Sequence, residues 1–164
     1  MKKLCLILCM LFSMTGCSTQ TFLETVMDVY VPNLQQDKAK VQFDLPQDAA
    51  MLTSSGSGDC LYMGEGYEIV LETFHAGDLG ETLSSVTGFD QKKLTILELP
   101  GADYHKYYTV WSTVGEYGDS VGKCMILDDG VYHYCLSVIT DADYTQQLEE
   151  MTKNLFASYS ATSY

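Results

Sequence analysis

The sequence contains no arginine: its nine basic residues are all lysines, set against 22 aspartates and glutamates. Phosphate recognition draws on clustered cations and on the guanidinium fork, so this balance argues against a nucleic-acid partner. Histidine is scarce, with His75, His105 and His133 the complete set, and none stands in a His-x-x-x-His spacing. Only His133 has a cysteine close by, at Cys135; two donors on one strand face fall short of the four that a structural zinc site wants. No Gly-rich phosphate loop, no Asp-x-Asp-x-Asp-Gly calcium loop and no nucleophile elbow occurs, so the expectation is no metal, no cofactor and no assigned catalytic residue. No apolar run is long enough to cross a bilayer, which takes about 20 residues.

The longest apolar run, Leu4 to Met14, is broken only by Ser13. It follows a basic start, Lys2-Lys3, and ends in small residues. A charged start, a short apolar stretch and a small-residue exit mark an export signal. Met14-Thr15-Gly16-Cys17 resembles the lipobox of bacterial prolipoproteins, in which an aliphatic residue, a small residue and Gly or Ala precede the modified cysteine. The resemblance implies cleavage between Gly16 and Cys17 and a diacylglyceryl group on the Cys17 sulfur. Two or more chains on one residue give stable membrane anchoring where one chain is marginal. The expected location is the outer face of the cell membrane, or an outer membrane if the host has two.

Loss of residues 1–16 would remove Lys2 and Lys3 and no carboxylate, leaving seven lysines against 22 acidic residues, a net charge of −15. Such a body gains solubility from its charge and is not drawn to anionic lipid as a whole. The lipid on Cys17 is therefore the expected membrane contact.

Beyond the cysteine, Thr21-Phe22-Leu23-Glu24 fits a capping box ahead of a short helix carrying Phe22, Val26 and Tyr30 on one face. Pro32 would end it. This stretch either docks on the domain or serves as a tether. The expected organisation is a signal over 1–16, a lipidated amino terminus with short helix and tether over 17–39, and one domain over 40–164.

Within that domain, Val41, Phe43 and Leu45 alternate with polar residues as on a half-buried strand, and Pro46 stops it. Ser54 to Asp59 reads as a loop. Cys60–Met63 and Tyr67–Phe74 flank the turn Gly64-Glu65-Gly66. Asp78 caps a helix with Leu79, Leu83 and Val86 on one face, closed by Gly88. Strands are expected at Leu94–Leu99, Tyr107–Thr113, Val121–Leu127 and Val131–Thr140, with Asp129-Gly130 as a type I′ turn between the last two. A final helix, capped by Asp141 or Asp143, carries Leu148, Met151, Leu155 and Tyr159 at helical spacing.

Successive strands joined by short turns give an antiparallel sheet, and the longer helices must cover it. Cys124 and Ile126 lie on one parity, Met125 and Leu127 on the other, so both faces are apolar. The fold class is α+β, an antiparallel sheet of about six to seven strands in a three-layer sandwich. This element order is similar to that of the PsbP-like fold, and the whole resembles small lipoproteins of gut Firmicutes; neither resemblance implies a reaction.

Cysteine supplies the remaining chemistry. Counting outward from an Asp129-Gly130 loop places Cys124 opposite Cys135, a candidate disulfide in an export compartment. Two packed thiols are the other reading. Cys60 is then the odd thiol. Glu116, Asp119, Asp128 and Asp129 belong to turns. Tyr104, Tyr107, Tyr108, Trp111 and Tyr117 are either core or a stacking platform, with Tyr107 and Trp111 on one sheet face and Tyr108 on the other. The functional expectation is a binding module with an unspecified protein or cell-surface ligand. The alternative is a thiol-dependent enzyme or redox protein using Cys60 or Cys124 with Cys135.

Overall fold

A computed structural model of the chain describes residues 37–101, 103–115, 118–141 and 146–162. Cys17, the signal and the short helix expected between Thr21 and Tyr30 lie outside the described residues. The strands are β1 (Lys40–Gln42), β2 (Ala50–Ser54), β3 (Cys60–Gly64), β4 (Tyr67–His75), β5 (Thr95–Leu99), β6 (His105–Gly115), β7 (Gly118–Asp128), β8 (Tyr132–Asp141) and β9 (Ser160–Thr162). Helix α1 (Leu79–Thr87) lies between β4 and β5, and α2 (Gln146–Ser158) precedes β9.

Seven strands form one antiparallel sheet in the order β2-β3-β4-β8-β7-β6-β5. Hairpins account for every pairing except β4 with β8, which runs from Tyr67 opposite Thr140 to His75 opposite Tyr132 and joins the two halves. The sheet stays open, with β2 and β5 at its edges.

The strand expected at Val41–Leu45 is not part of this sheet. Only Lys40–Gln42 is extended, and it pairs with β9 instead. The edge place goes to Ala50–Ser54, which no alternation announces, because the strand is exposed along its whole length and its register shifts between Met51 and Thr53. Edge strands bury no face fully, so the two-residue period that marks a strand is weak there. Phe43 still reaches the core, with its ring edge-on to Tyr62 at 6.0 Å and to Tyr159 at 6.2 Å.

Both helix ends of α1 follow the expected chemistry. The Asp78 carboxylate accepts from the Gly80 N–H at 2.8 Å, filling one of the donors a helix start leaves open. Gly88 closes the other end at φ +75° and donates to the Ser84 carbonyl at 2.9 Å, a conformation that costs glycine little.

Parity sorts the sheet into two apolar faces. Helix α2 and the β1–β9 ribbon cover one face, where Tyr67, Ile69, Leu71, Leu127, Tyr134, Leu136 and Val138 pack with Leu155 and Tyr159. Helix α1 covers part of the other, where Leu83 meets Cys124, Ile126 and Cys135, bordered by Phe74, Tyr107 and Trp111. The molecule is thus α+β, with a helix on each side of an antiparallel sheet. On the α1 side Trp111 lies flat across its partner Gly122: a Cβ there would stand 2.1 Å from the indole. That glycine opens the room for the ring, a cross-strand pairing of aromatic and glycine that also pins the β6–β7 register.

Candidate functional site

A cleft of about 760 Å³ lies at one end of the sheet between the β5–β6 connection and the β7–β8 turn. Glu98, Asp103, Tyr104, His105, Asp128 and Asp129 line it. The turn carboxylates are held in place. Asp128 Oδ1 accepts from the Gly130 N–H at 2.7 Å. Asp129 Oδ1 accepts from the Val131 and Tyr132 N–H groups at 2.8 and 2.6 Å, and its Oδ2 accepts from the Tyr134 hydroxyl at 2.9 Å. Turn chemistry is therefore the structural role of both aspartates. At the rim, exposed Glu98 and His105 approach to 3.5 Å.

This turn differs from the expected one by a single residue. Gly130 alone takes positive φ, at +84°, and Asp129 closes the loop by donating its N–H to the Tyr132 carbonyl at 3.2 Å. A type I′ turn at Asp129-Gly130 would force Asp129 into the left-handed region, against its three hydrogen bonds. The two-residue loop becomes Gly130-Val131. Asp128 then faces His133, Ile126 faces Cys135 and Cys124 faces Ser137. Cys124 and Cys135 share a face as diagonal neighbours, not as the directly opposed pair that outward counting predicts. Both are fully buried free thiols, as Cys60 is a half-buried one. The hydrogen bond to Cys124, then burial, raise the Cys135 pKa well above its ordinary value, so this thiol stays protonated and a poor nucleophile.

His133 is 2 % exposed and forms a relay between elements. Its Nδ1 lies 2.7 Å from the hydroxyl of Thr82 on α1, and its Nε2 lies 3.6 Å from Asp128 Oδ2. Neither partner was legible beforehand, since Thr82 is 51 residues away in sequence and sits among ordinary helix residues. The hydroxyl, imidazole and carboxylate line up as in a nucleophilic triad, yet Thr82 is only 4 % exposed and lies between helix and sheet. A nucleophile must reach its substrate; this chain fastens α1 to β8. His133 and Cys135 share a face without a third ligand: among the described residues no three His, Cys, Asp or Glu side chains gather as for a metal. His75 packs against Tyr132 with the ring centres 4.9 Å apart and the planes tilted by 34°.

The aromatics divide as parity requires. Tyr107 and Trp111 border the α1-side core, and Tyr108 faces α2, edge-on to Phe156 at 6.0 Å. Tyr104 alone of the described set lines the cleft; Tyr117 lies outside the described residues.

Beside Cys135, Glu72 occupies the directly facing position on β4. Burial, and then the charge of Asp59, raise its pKa above the ordinary 4.5. A carboxyl raised in the folded state contributes stability that is complete below pH 4.5 and is lost as pH rises through the folded value. Glu72→Gln is therefore expected to raise the melting temperature by a few degrees at pH 7. That advantage should vanish below pH 4.5, as calorimetry across the range will show.

No protein-family model matches the sequence, and no curated protein matches it. Solved structures do. A crystal structure from Bacteroides thetaiotaomicron VPI-5482 superposes with a TM-score of 0.51 at 11% identity, covering 77% of this chain and 49% of that one. The chain thus spans about half the length of the Bacteroides protein. LpqN of Mycobacterium tuberculosis, described as involved in cell envelope biogenesis, gives a TM-score of 0.51 at 11% identity over 78% of this chain and 87% of its own. The likeness is one of fold. Among the described residues no helix is long and apolar enough to cross a membrane.

Proposed function

We propose that the protein is an exported lipoprotein, held on the outer face of a membrane by acyl chains on Cys17, whose domain works by binding a protein or cell-surface component. One observation carries the binding half of this reading. Thr82, His133, Cys124 and Cys135 are buried between α1 and the sheet, while the cleft beside the β7–β8 turn presents fixed carboxylates with Tyr104 and His105. A cleft of that kind suits recognition, and half-buried Cys60 is the thiol left to test. The lipobox carries the anchoring half, and a fold shared with a protein involved in cell envelope biogenesis supports an envelope setting.

Anchoring is tested by Cys17→Ser. The parent should sediment with membranes and carry a diacylglyceryl mass at its amino terminus, and the variant should appear in the soluble exported fraction. Equal membrane retention of the two would defeat the anchor. Binding against thiol chemistry is tested by timed reaction with an aromatic disulfide reagent. Cys124 and Cys135 should react only on unfolding, and Cys60, whose sulfur lies 3.6 Å from the Gly58 carbonyl, at no more than an ordinary thiol's rate. A hyper-reactive Cys60 in the folded protein would turn the reading towards the thiol-dependent alternative.

A further inference from the structure

A seven-stranded sheet is roughly 29 Å across at about 4.8 Å per strand spacing, whereas a packed helix covers about 10 Å. On the α2 face, one helix and the short β1–β9 ribbon therefore stop before the last strands. The uncovered part is apolar. Alternate residues of β6, namely Lys106, Tyr108, Val110, Ser112 and Val114, share the parity that turns Tyr108 toward Phe156 of α2. Val114 is 88% exposed, Val110 41%, and Leu97, opposite Tyr108 on β5, 51%. A groove of about 380 Å³ runs between this surface and α2, with Tyr108, Met125 and Phe156 as its apolar wall.

Charge on this surface is less one-sided than that of the whole. Of the seven lysines beyond the signal, Lys106 lies on the β6 row, Lys123 faces Val110, and Lys153 borders the groove from α2. The carboxylates nearby are Glu149 on the groove, Asp119 opposite Val114 and Asp103 beside Lys106. Exposed aliphatic side chains, an aromatic ring and lysines with long apolar stems are the composition that settles at a lipid–water boundary. The chain also enters the domain on this side, since Ala39 and Val41 pack into the α2-face core.

We propose that the open β5–β6 half of the α2 face is a docking surface for an anionic bilayer, so that the acidic domain lies oriented on the membrane. This rests on the anchor at Cys17. The 20 residue-to-residue steps from Cys17 to Asp37 span at most about 70 Å when extended. At that range the bilayer's effective concentration is high, and a surface too weak to bind unaided engages. The lysines face the headgroups and set the orientation, while Leu97, Val110 and Val114 enter the boundary.

The test uses the mature lipidated chain in vesicles of phosphatidylcholine containing 30% phosphatidylglycerol and a trace of spin-labelled lipid. Methyl NMR signals of Leu97, Val110 and Val114 should broaden at least two-fold more than those of Leu61 and Met63 on the opposite face. Pure phosphatidylcholine, or the variant Lys106→Glu/Lys123→Glu/Lys153→Glu, should abolish the difference. Val114→Asp, at a position too exposed to affect folding, should weaken it. Equal broadening of both faces, or an orientation indifferent to lipid charge and to these variants, would overturn the proposal. So would cross-links showing this surface covered by a partner protein's helix. A Cys17→Ser chain with an amino-terminal histidine tag on nickel-chelating vesicles separates the two ideas: it reports orientation even if the native chain proves unlipidated. A lipidated chain with no preferred orientation would sink docking alone.

Discussion

Leu83→Ala is expected to lower stability by about 3–4 kcal/mol, the range for emptying a fully buried leucine site. Leu83 is 0% exposed, and it is the apolar side chain of α1 that is completely buried. It packs among Cys124, Ile126 and Cys135 with Tyr107 and Trp111 around them. Helix α1 has nine residues, too short to persist by propensity alone, so its stability comes from this contact and from the Thr82–His133 bond. A domain of this size has about 5–15 kcal/mol in all. The variant should therefore melt roughly 10 °C lower. Chemical denaturation should show a reduced midpoint at an unchanged slope. Leu97→Ala, at a half-exposed strand position, should shift the midpoint by no more than about 0.5 kcal/mol. Cys124 and Cys135 provide a second readout, because loss of Leu83 should let α1 open locally and expose both thiols to alkylation before global unfolding. Equal thiol protection in parent and variant would show that α1 does not seal this face.

Asp129→Ala is expected to cost about 3 kcal/mol through a different mechanism. One carboxylate accepts from Val131 N–H, Tyr132 N–H and the Tyr134 hydroxyl, and a buried donor left without a partner costs about 1–3 kcal/mol. The Tyr134 hydroxyl also accepts from the Ala39 N–H at 2.8 Å. The carboxylate thereby joins the β7–β8 turn to the chain just ahead of β1. Burial, with the neighbouring Asp129, raises the Tyr134 pKa, which keeps that hydroxyl protonated and able to donate. Asp129→Asn retains an accepting oxygen and should lose about half as much. Tyr134→Phe should remove about 1 kcal/mol for its bond to Asp129, and more for the Ala39 N–H it leaves unpaired. If Asp129→Ala left the melting temperature unchanged, the turn would be held by its backbone alone and the present register would lack its main cause.

The same aspartate shows where sequence reasoning reached its limit. Asp129-Gly130 announces a tight turn correctly, and the strands on either side lie within a few residues of where their apolar runs put them. A one-residue displacement of the loop, however, moves every facing pair by two. Local propensity prefers Asp-Gly at the centre of a hairpin; the carboxylate's three donors prefer Asp129 just outside it. The donors include Tyr134, whose position depends on the packing of the sheet, so a local rule could not see them. The local rule therefore puts Cys124 and Cys135 in one row, whereas the register makes them diagonal neighbours on one face. Edge strand β2 carries no such signal for the opposite reason, since nothing buries it strongly enough to impose a pattern.

The six strands from β3 to β8, the caps of α1, the apolar stripe of α2 and the presence of two apolar sheet faces were determined by the sequence alone. Each depends on neighbours within a few residues, where backbone geometry maps spacing onto direction. Tertiary structure alone decided that β1 leaves the sheet for β9, that β4 pairs with β8, and that Thr82, His133 and Asp128 meet. It also decided which parts of each face a helix fails to cover. Those outcomes arise from competition among distant segments for the same hydrogen bonds and the same apolar area. Such competition leaves no trace in any single stretch of chain.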